Sequence, residues 1–527
     1  MSRRMKKKTP LVQAEPIPGG RLQGLAPYRL HGILLLLAVV SLGLGLWTFD
    51  DKLSLSGDNT EFIILAQSLA QGQGLTHIHQ PETRLATKFP FGFPLMLAPL
   101  ELLFPAAWGP MKGLVLVCFV LAVPVYFLLV KERLGIVPGL VAAALCLSHP
   151  LLLDYAHQIM SEVPYMLFSL LALWLLDRSM QNPRIVGNYA FIGGGLCAVW
   201  AYHLRTIGLV LIGAAVVYLL IRQCYRKAVV WGGGALLLGL PWAWRNYRAG
   251  GESYFELVGR VNPYAPALGN MELEGWLQRL ADNALAYLGR IMPSTFWPGF
   301  RGDGSLVNPV SIALIVLLLA AIGLCIYRRQ HLLLGLYTAF FSATLLVWPW
   351  TGDRFLAPIV PLILFFVVWL GTSLAQLLAA KLQPSLGRVL GLSAVLLALP
   401  LHGSGVAQLA RQGQAAYPPA WEHYYRAGLW LRENVPPETV IACRKPYWLY
   451  VVSGRRCVVY RHDPPELLLA HLQQIPVDYV VVESLGFSST PRFLLPAIRQ
   501  ERRRFKAVWG EAEPPTVIMQ FIAEPDQ

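Results

Sequence analysis

Apolar runs of about the length of a membrane-spanning helix recur along most of this chain, and no other feature constrains its fold as strongly. A helix crosses the ~30 Å hydrocarbon core of a bilayer with roughly 20 apolar residues, and about eleven runs approach that length. Three of them are short or interrupted by a polar residue, namely Val163–Leu176, Val186–Leu204 and Val389–Leu401. The clearer runs are Gly32–Phe49, Gly113–Val130, Leu134–Leu153, Thr206–Ile221, Ala228–Trp244, Pro309–Ile326, Leu332–Val347 and Phe355–Leu378.

The composition agrees with this pattern. Of the 527 residues, 55% are hydrophobic and only 14% are charged, and the mean hydropathy is +0.48. We therefore predict an α-helical polytopic membrane protein with about 11 transmembrane helices. The formal net charge of +14 does not indicate a nucleic-acid partner, because Lys and Arg lie in short clusters between apolar runs and form no continuous basic face.

The basic clusters predict the orientation, since Lys and Arg are retained on the cytoplasmic side of a membrane. The basic tail Met1–Lys8 predicts an N-terminus inside. No short apolar core with a cleavage site follows it directly, so the first run is predicted to remain as an anchor. Every inner loop that results is basic, with positive charges at Lys131, Arg133, Arg178, Arg184, Arg222, Arg226, Lys227, Arg328, Arg329, Lys381 and Arg388.

One further apolar segment, Phe89–Phe104, bears on this topology. Counting it as a span would place the later basic clusters outside, and it contains Pro90, Pro94 and Pro99. We therefore predict a kinked or interfacial helix near the outer surface. The predicted parts are a cytoplasmic tail over 1–30, a transmembrane domain over 31–405 with outer loops 50–108 and 245–306, and an extracytoplasmic α/β domain over 406–527.

The last of these parts has the pattern of a small α/β domain. Leu429–Val435 is typical of a helix, and four segments predict strands: Val440–Cys443, Leu449–Val452, Cys457–Tyr460 and Asp478–Val482. Cys443 and Cys457 both fall here, and they either form a disulfide in an oxidising compartment or serve as two small core residues.

Acidic residues at the predicted outer face are candidates for chemistry, because charge near the hydrocarbon is costly. Asp58 opens a helical stretch just after the first span, with Glu61 three residues later. It is either a helix cap in a capping box or a catalytic acid/base. Asp154 and Glu162 lie between the third and fourth spans. Glu162 either complements a helix N-terminus, or one of these two residues, Glu162 or Asp154, faces Asp58 across a cavity.

Basic residues at the same face form the third element. Arg205, Arg245 and Arg354 lie at outer ends of predicted spans and defy the positive-inside bias, and Lys88 lies in the first outer loop. The guanidinium fork suits phosphate, so a lipid phosphate is the natural partner. The alternative is pairing with headgroups or neighbours, as Arg354 with Asp353. In the last domain Arg444, Lys445, Arg455, Arg456 and Arg461 are either solvated surface charge or a surface for an acidic glycan or anionic headgroups.

The order of these segments resembles the GT-C superfamily of membrane glycosyltransferases, and within it the aminoarabinose transferases that modify lipid A and the protein O-mannosyltransferases. The segments that carry the resemblance are Gly57-Asp58, Lys88-Phe-Pro-Phe-Gly-Phe-Pro-Leu-Met-Leu, Ser161-Glu162, Leu204-Arg-Thr-Ile-Gly-Leu, Pro241-Trp-Ala-Trp-Arg-Asn and Asp353-Arg-Phe-Leu-Ala-Pro.

The resemblance implies an inverting transfer of a sugar from a polyprenyl-phosphate donor to a lipid, glycan or protein acceptor, at the outer face of a bacterial cytoplasmic membrane. It implies that Asp58 deprotonates the acceptor hydroxyl, with Glu162 as a second catalytic candidate and Glu61 and Asp154 as secondary ones. Lys88, Arg205, Arg245 and Arg354 are the candidates for binding the lipid phosphate.

Several features of the activity stay open. Asn59-Thr60-Glu61-Phe62 stands where several relatives have an aromatic or basic pair, so the identity of the acceptor does not carry across. Some GT-C enzymes use a divalent metal and others do not. His77 and His79 are either a zinc-binding pair or ordinary loop residues. The competing functions are a transporter or flippase of a lipid-linked saccharide, and a scaffold with a decayed active site.

Overall fold

The computed structural model describes residues 27–55, 57–251, 254–296, 309–381 and 398–523. Most of the predicted cytoplasmic tail, most of the predicted span Val389–Leu401 and residues 297–306 of the second outer loop lie outside the described residues.

The first four-fifths of the chain is helical, apart from one small hairpin. Its helices are α1 Pro27–Trp47, α2 Gly57–Ala70, α3 Gly92–Leu103, α4 Trp108–Leu134, α5 Ile136–Leu147, α6 Pro150–Tyr155, α7 Glu162–Ser179, α8 Tyr189–Leu204, α9 Gly208–Ile221, α10 Tyr225–Arg248, α11 Tyr254–Gly259, α12 Leu273–Ala286, α13 Met292–Phe296, α14 Pro309–Tyr327, α15 Leu332–Val347, α16 Asp353–Leu356 and α17 Val360–Lys381. The hairpin pairs β1 Thr76–His77 with β2 Arg84–Leu85 in antiparallel fashion.

Each clear apolar run of the sequence coincides with one of these helices, except that the third is broken. The predicted span Leu134–Leu153 is divided into α5 and α6, because Pro150 cannot donate a backbone hydrogen bond to the preceding turn. The segment Phe89–Phe104 forms α3, a helix with Pro99 inside it. By length and composition, the described residues contain three helices able to cross a membrane: α1, α4 and the continuous segment Asp353–Leu377.

The outer surface of this bundle is apolar. On α1, Leu35 and Leu36 are 66% and 61% exposed, and on α10 Leu237 is 70% exposed. Such faces are unfavourable in water and match the hydrocarbon of a bilayer. Together with the apolar helices, this makes the chain a membrane protein.

The C-terminal part adds a small α/β domain. Its elements are α18 Ala398–Gln414, α19 Pro419–Asn434, β3 Val440–Cys443, α20 Pro446–Ser453, β4 Arg456–Val459, α21 Pro465–Gln474, β5 Tyr479–Val482, α22 Leu495–Gln500, β6 Phe505–Glu511 and β7 Thr516–Phe521. The sheet order is β4-β3-β5-β7-β6. β3 is parallel to both β4 and β5, whereas β7 is antiparallel to β5 and β6.

One predicted strand of this domain is wrong. Leu449–Val452 lies in α20, which starts at Pro446 and ends at Gly454, where φ is +67°. Two adjacent parallel strands need a crossover connection, and α20 supplies it between β3 and β4. The predicted strands at Val440, Cys457 and Tyr479 are present, and Cys443 and Cys457 are free buried thiols.

The α/β domain rests on the first outer loop. Helix α20 packs against α2, the ring centroids of Tyr447 and His79 are 4.3 Å apart, and the Cys457 amide donates to the His79 carbonyl at 2.7 Å. The ammonium of Lys52 donates to the Gly413 carbonyl at 2.8 Å. The domain therefore covers the segment that carries Asp58.

Candidate active site

Charged side chains from five separate segments lie together at one place beside the helical bundle. Asp58 and Glu61 lie in the first turns of α2, and Lys88 lies between β2 and α3. Glu162 is the first residue of α7, Arg205 directly follows α8, and Arg354 is the second residue of α16.

Local packing fixes these segments relative to one another. The Phe62 ring on α2 lies 4.4 Å from the Phe89 ring and 4.8 Å from the Phe93 ring, measured between centroids, which sets α2 against the Lys88 loop. A Cβ at Gly92 would lie 2.6 Å from the His203 carbonyl oxygen. Only glycine permits this approach, which brings the start of α3 against the end of α8 beside Arg205.

Lys88 joins the two carboxylates of α2. Its ammonium donates to Asp58 Oδ1 at 2.8 Å and to Glu61 Oε2 at 2.9 Å. His77 Nε2 lies 4.0 Å from the other Glu61 oxygen. The predicted first outer loop thus holds one cation between two acids that are one helical turn apart.

Arg354 joins Asp58 to Glu162 across the site. Its Nη1 donates to Asp58 Oδ2, and its Nε donates to Glu162 Oε1 at 2.6 Å. Arg205 Nη1 contacts the same Glu162 oxygen at 2.6 Å and also donates to Ser161 Oγ at 3.2 Å. Glu162 Oε2 is buried and has no hydrogen-bond partner in the structure.

Exposure differs sharply within this cluster of three acids and three bases. The Lys88 side chain is 55% exposed, whereas that of Glu162 is 0% exposed. Asp58 and Arg354 lie between these limits, at 21% and 24%. A bound substrate can therefore reach Asp58, Lys88 and Arg354, while Glu162 lies beneath them.

The electrostatics keep Asp58 charged. Burial would raise its pKa, but the positive charges of Lys88 and Arg354 outweigh burial and lower the pKa to about 2. For Glu61 burial prevails over Lys88, and its pKa is raised. Burial would lower the pKa of Lys88, but the charges of Glu61 and Asp58 raise it. Lys88 therefore stays an ammonium and Asp58 a carboxylate across the physiological range.

Two of the alternatives raised by the sequence are not what the structure contains. Asp58 lies inside α2 rather than before it, and Glu61 contacts Lys88, so the pair does not form a capping box. The Arg354 side chain does not pair with Asp353, which accepts only the Arg354 backbone amide at 2.7 Å. The side chains of Asp58 and Arg354 instead contact each other in the charged cluster.

Arg245, a sequence candidate for the lipid phosphate, does not join this cluster. Its guanidinium donates to the carbonyls of Ala86 and Leu75, the latter at 2.9 Å, and the neighbouring Asn246 side chain donates to the Thr87 carbonyl at 3.2 Å. These contacts hold the backbone just before Lys88. In this structure Arg245 shapes the loop that presents Lys88.

Asp154 also lies apart from the cluster, past the end of the third predicted span. Burial raises its pKa to about 6, and the nearby charges of Asp353 and Asp50 act in the same direction. Its folded-state pKa therefore lies above the ordinary value of 3.8, so ionisation of Asp154 destabilises the folded state as the pH rises through about 4 to 6.

Replacing Asp154 by Asn is therefore expected to stabilise the protein at neutral pH. Thermal unfolding in detergent should show a higher midpoint temperature for Asp154→Asn than for wild type at pH 7.5, and equal midpoints at pH 4, where Asp154 is protonated. The exposed Asp282→Asn is the control. A lower midpoint for Asp154→Asn at pH 7.5 contradicts the assignment.

Within the described ranges, no three His, Cys, Asp or Glu side chains lie close enough to hold an ion together. The space between Asp58 and Glu162 is spanned by the Arg354 guanidinium. The His77 and His79 rings pack edge to face, with centroids 5.5 Å apart, and both rings contact Tyr447.

The sequence did not predict that Tyr447 of the α/β domain would lie near this site, within electrostatic range of Glu61, Lys88 and Asp58. Tyr447 is the second residue of α20, which was expected to contain a strand. The missed signal was Pro446, a residue favoured at the first position of a helix. A helix predicted to start at Pro446 would have marked the end of β3 as an edge of the sheet where a ligand can bind.

One family model matches part of this chain. Residues 90–244 match a family model described as dolichyl-phosphate-mannose-protein mannosyltransferase. No curated protein sequence gives a significant match to the chain.

Solved structures with a similar fold come from membrane enzymes. An Archaeoglobus fulgidus oligosaccharyltransferase with a tethered acceptor peptide has a TM-score of 0.59 at 12% identity, over 95% of this chain and 74% of that one. ArnT from Cupriavidus metallidurans in its apo state has a TM-score of 0.59 at 14% identity, over 94% of this chain and 98% of that one. Its form bound to undecaprenyl phosphate gives 0.59 at 12% identity, over 94% and 99%.

At such low identities these similarities concern the fold. The family-model match and these solved structures all belong to the GT-C type of membrane glycosyltransferase, and the resemblance predicted from the sequence is confirmed.

Proposed function

We propose that this chain, a membrane protein with the GT-C glycosyltransferase fold, transfers a sugar from a polyprenyl-phosphate donor to a hydroxyl of a lipid, glycan or protein acceptor. The observation that carries the proposal is the shared contact of Asp58 with Lys88 and Arg354, which places a carboxylate base and two phosphate-binding cations on one accessible surface. The similar ArnT structure bound to undecaprenyl phosphate supports a lipid-phosphate donor.

In the proposed reaction Asp58 takes the proton of the acceptor hydroxyl. The hydroxyl oxygen then attacks the anomeric carbon of the donor, and the bond from that carbon to the phosphate oxygen breaks on the opposite face. The sugar is transferred with inverted configuration, and the polyprenyl phosphate leaves with one additional negative charge. A weak hydroxyl nucleophile needs the base, and the departing phosphate needs cations.

In this scheme Lys88 and Arg354 have two anionic partners, Asp58 and the donor phosphate. Without substrate, Lys88 and Arg354 hold the pKa of Asp58 down, which makes it a poor proton acceptor. A donor phosphate offers the same two cations a competing anion. As their charge is shared with the phosphate, the base strength of Asp58 rises, so donor binding prepares the base.

Three further residues act by positioning. Glu162 is too deeply buried to meet substrate, and it holds Arg354 and Arg205 by one oxygen, with Arg205 close enough to add positive charge to the phosphate side. Arg245 holds the loop before Lys88 by its contacts to Ala86 and Leu75. Glu61 holds the Lys88 ammonium from below.

We place the reaction at the outer face of a bacterial cytoplasmic membrane, with a cytoplasmic N-terminus. The basic clusters of the predicted inner loops support that orientation, since the site lies at the opposite ends of the same helices. The predicted α/β domain over 406–527 is then extracytoplasmic and covers the site from the aqueous side.

The test of this function distinguishes an enzyme from a transporter. The purified protein is incubated in detergent with an undecaprenyl-phosphate sugar and an extract of envelope glycans and lipids, and both lipid and glycan products are followed by mass spectrometry. We expect free undecaprenyl phosphate together with a product heavier by one sugar. An unchanged donor contradicts the proposal and is the result that a flippase predicts.

A further inference from the structure

The strand order of the α/β sheet creates a switch point, the place where open sheets have a ligand-binding crevice. β3 connects through α20 to β4 on one side, and β4 connects through α21 to β5 on the other side of β3. The connections that leave the carboxyl ends of the parallel strands β3 and β5 therefore run to opposite sides of the sheet. In open α/β sheets ligands bind outside the carboxyl ends of the strands at this switch point.

Two cations and an aromatic ring lie at that point. Arg444 and Lys445 directly follow β3, and Phe487 lies on the segment that follows β5. The Arg444 guanidinium carbon is 4.6 Å from the centre of the Phe487 ring, and the Lys445 ammonium is 4.8 Å from it. The Lys445 ammonium is also 5.9 Å from the centre of the Trp421 ring.

Neither cation has a carboxylate partner in the described structure. Arg444 Nε is buried without a hydrogen-bond partner, and neither residue forms a salt bridge. The nearby Glu483 is engaged elsewhere, since one oxygen accepts from Thr490 Oγ1 and the other from the Leu485 amide. Among the described residues, these two adjacent cations on aromatic faces therefore have no carboxylate at ion-pair distance, although Glu483 and Asp58 lie within electrostatic range of Lys445.

Two other basic residues near these strands have partners of their own. Arg455 donates to the carbonyls of Val435 at 2.9 Å and Arg432 at 2.6 Å, and Arg461 pairs with Asp463 at 2.7 Å. Arg456 is exposed on β4. Arg444 and Lys445 differ from these residues because they directly follow β3 at the switch point and contact an aromatic ring there.

The end of β3 lies near the candidate active site. Lys445 is within electrostatic range of Glu483 and Asp58, and Tyr447, two residues further on, is within range of Glu61, Lys88 and Asp58. Helix α20, which begins after Lys445, packs against α2, the helix that carries Asp58. The cations at the end of β3 and the candidate base are therefore close neighbours.

We propose that Arg444, Lys445 and Phe487 form a binding site for an anionic group, a phosphate or a carboxylate, on a saccharide acceptor, and that this site holds the acceptor hydroxyl at Asp58. The inference rests on the proposed function and adds the class of acceptor to it. The donor phosphate has its own cations on the membrane side, in Lys88, Arg354 and Arg205. Aromatic rings beside fixed charges suit a sugar bearing an anion.

Binding measurements on the full chain test this site without requiring turnover. The protein in detergent is first saturated with undecaprenyl phosphate, so that the cations around Asp58 are occupied. Glucose 6-phosphate, glucuronate and glucose are then titrated separately, and binding is followed by ligand-observed nuclear magnetic resonance. We expect at least one of the two anionic sugars to bind and glucose to bind far more weakly.

Variants identify the location of that binding. Arg444→Gln with Lys445→Gln is expected to weaken binding of the anionic sugar roughly tenfold or more, because both charge-assisted contacts are lost. The matched control, Arg456→Gln with Arg461→Gln, removes the same charge from the exposed surface and should leave the affinity within about twofold. Lys445→Gln alone provides the test if the double variant does not fold.

Three outcomes overturn the inference: no binding of either anionic sugar to the wild type, unchanged binding by the crevice variant, or equal weakening in the control. The saturation step with undecaprenyl phosphate reports separately on the proposed function. If the lipid phosphate binds while the sugar titration fails, the acceptor site is refuted and the transferase proposal stands. If the lipid phosphate does not bind, the proposed donor is refuted.

Discussion

Replacing Asp58 by Asn is expected to lower the rate of sugar transfer by about 10²–10⁴-fold, the usual contribution of a positioned general base. Asn has nearly the same shape as Asp and keeps one acceptor oxygen for either Lys88 or Arg354, which contact different Asp58 oxygens, but it cannot take the acceptor proton. The rate is measured as release of undecaprenyl phosphate by purified wild-type and variant proteins at equal concentration.

The matched control for this variant is Glu82→Gln. Glu82 lies in the same outer loop, its side chain is 83% exposed, and it pairs only with Arg84 at the surface. The control should transfer at the wild-type rate, and Asp58→Asn should accumulate in membranes as wild type does. Transfer at an undiminished rate by a correctly inserted Asp58→Asn protein removes Asp58 from the chemistry.

Replacing Glu162 by Gln is expected to reduce both stability and activity. The fully buried Glu162 is the shared anion between two guanidiniums, and its loss leaves Arg205 without its carboxylate and Arg354 with Asp58 alone. Removing one partner of a buried ion pair typically costs about 3–5 kcal/mol. The expected result is a clearly lower midpoint temperature of thermal unfolding in detergent, followed by intrinsic tryptophan fluorescence, with weaker transfer by the remaining folded protein.

Glu422→Gln serves as the comparison, because it breaks an exposed pair with Arg426 one turn along α19. Such surface pairs contribute about 0–1 kcal/mol. An unfolding midpoint for Glu162→Gln as high as that of Glu422→Gln shows that Glu162 does not stabilise the arginine pair. A stable variant without activity would instead make Glu162 a participant in the reaction.

Much of the helical architecture follows from apolar periodicity and length, because a bilayer forces each crossing to satisfy its own backbone hydrogen bonds. The same reasoning failed at Leu449–Val452, where an apolar stretch of four residues fits a buried strand and a buried helix equally well. The division of Leu134–Leu153 was also missed, although Pro150 was visible in the sequence.

The sequence identified the charged residues of the site from the side of the membrane on which they are predicted to lie, but it did not identify the partner of each residue. The sequence identified Asp58, Glu162 and Arg354 as outer-face charges, and the structure joins all three through one guanidinium. That link spans residues about 300 positions apart and depends on how α2, α7 and α16 pack. Arg245 shows the converse, since its position suggested phosphate binding while its contacts are with the backbone of the Lys88 loop.

The stereochemistry of transfer tests the central claim most directly, because a base-assisted displacement at Asp58 inverts the anomeric carbon in a single step. Purified protein is supplied with an undecaprenyl-phosphate sugar of known anomeric configuration and an extract of envelope glycans and lipids as the source of acceptor, and the new glycosidic bond of the product is assigned by nuclear magnetic resonance. The account predicts a product of opposite configuration from wild type, and no product above background from Asp58→Asn. A product that retains the donor configuration, or equal product from both proteins, would contradict it.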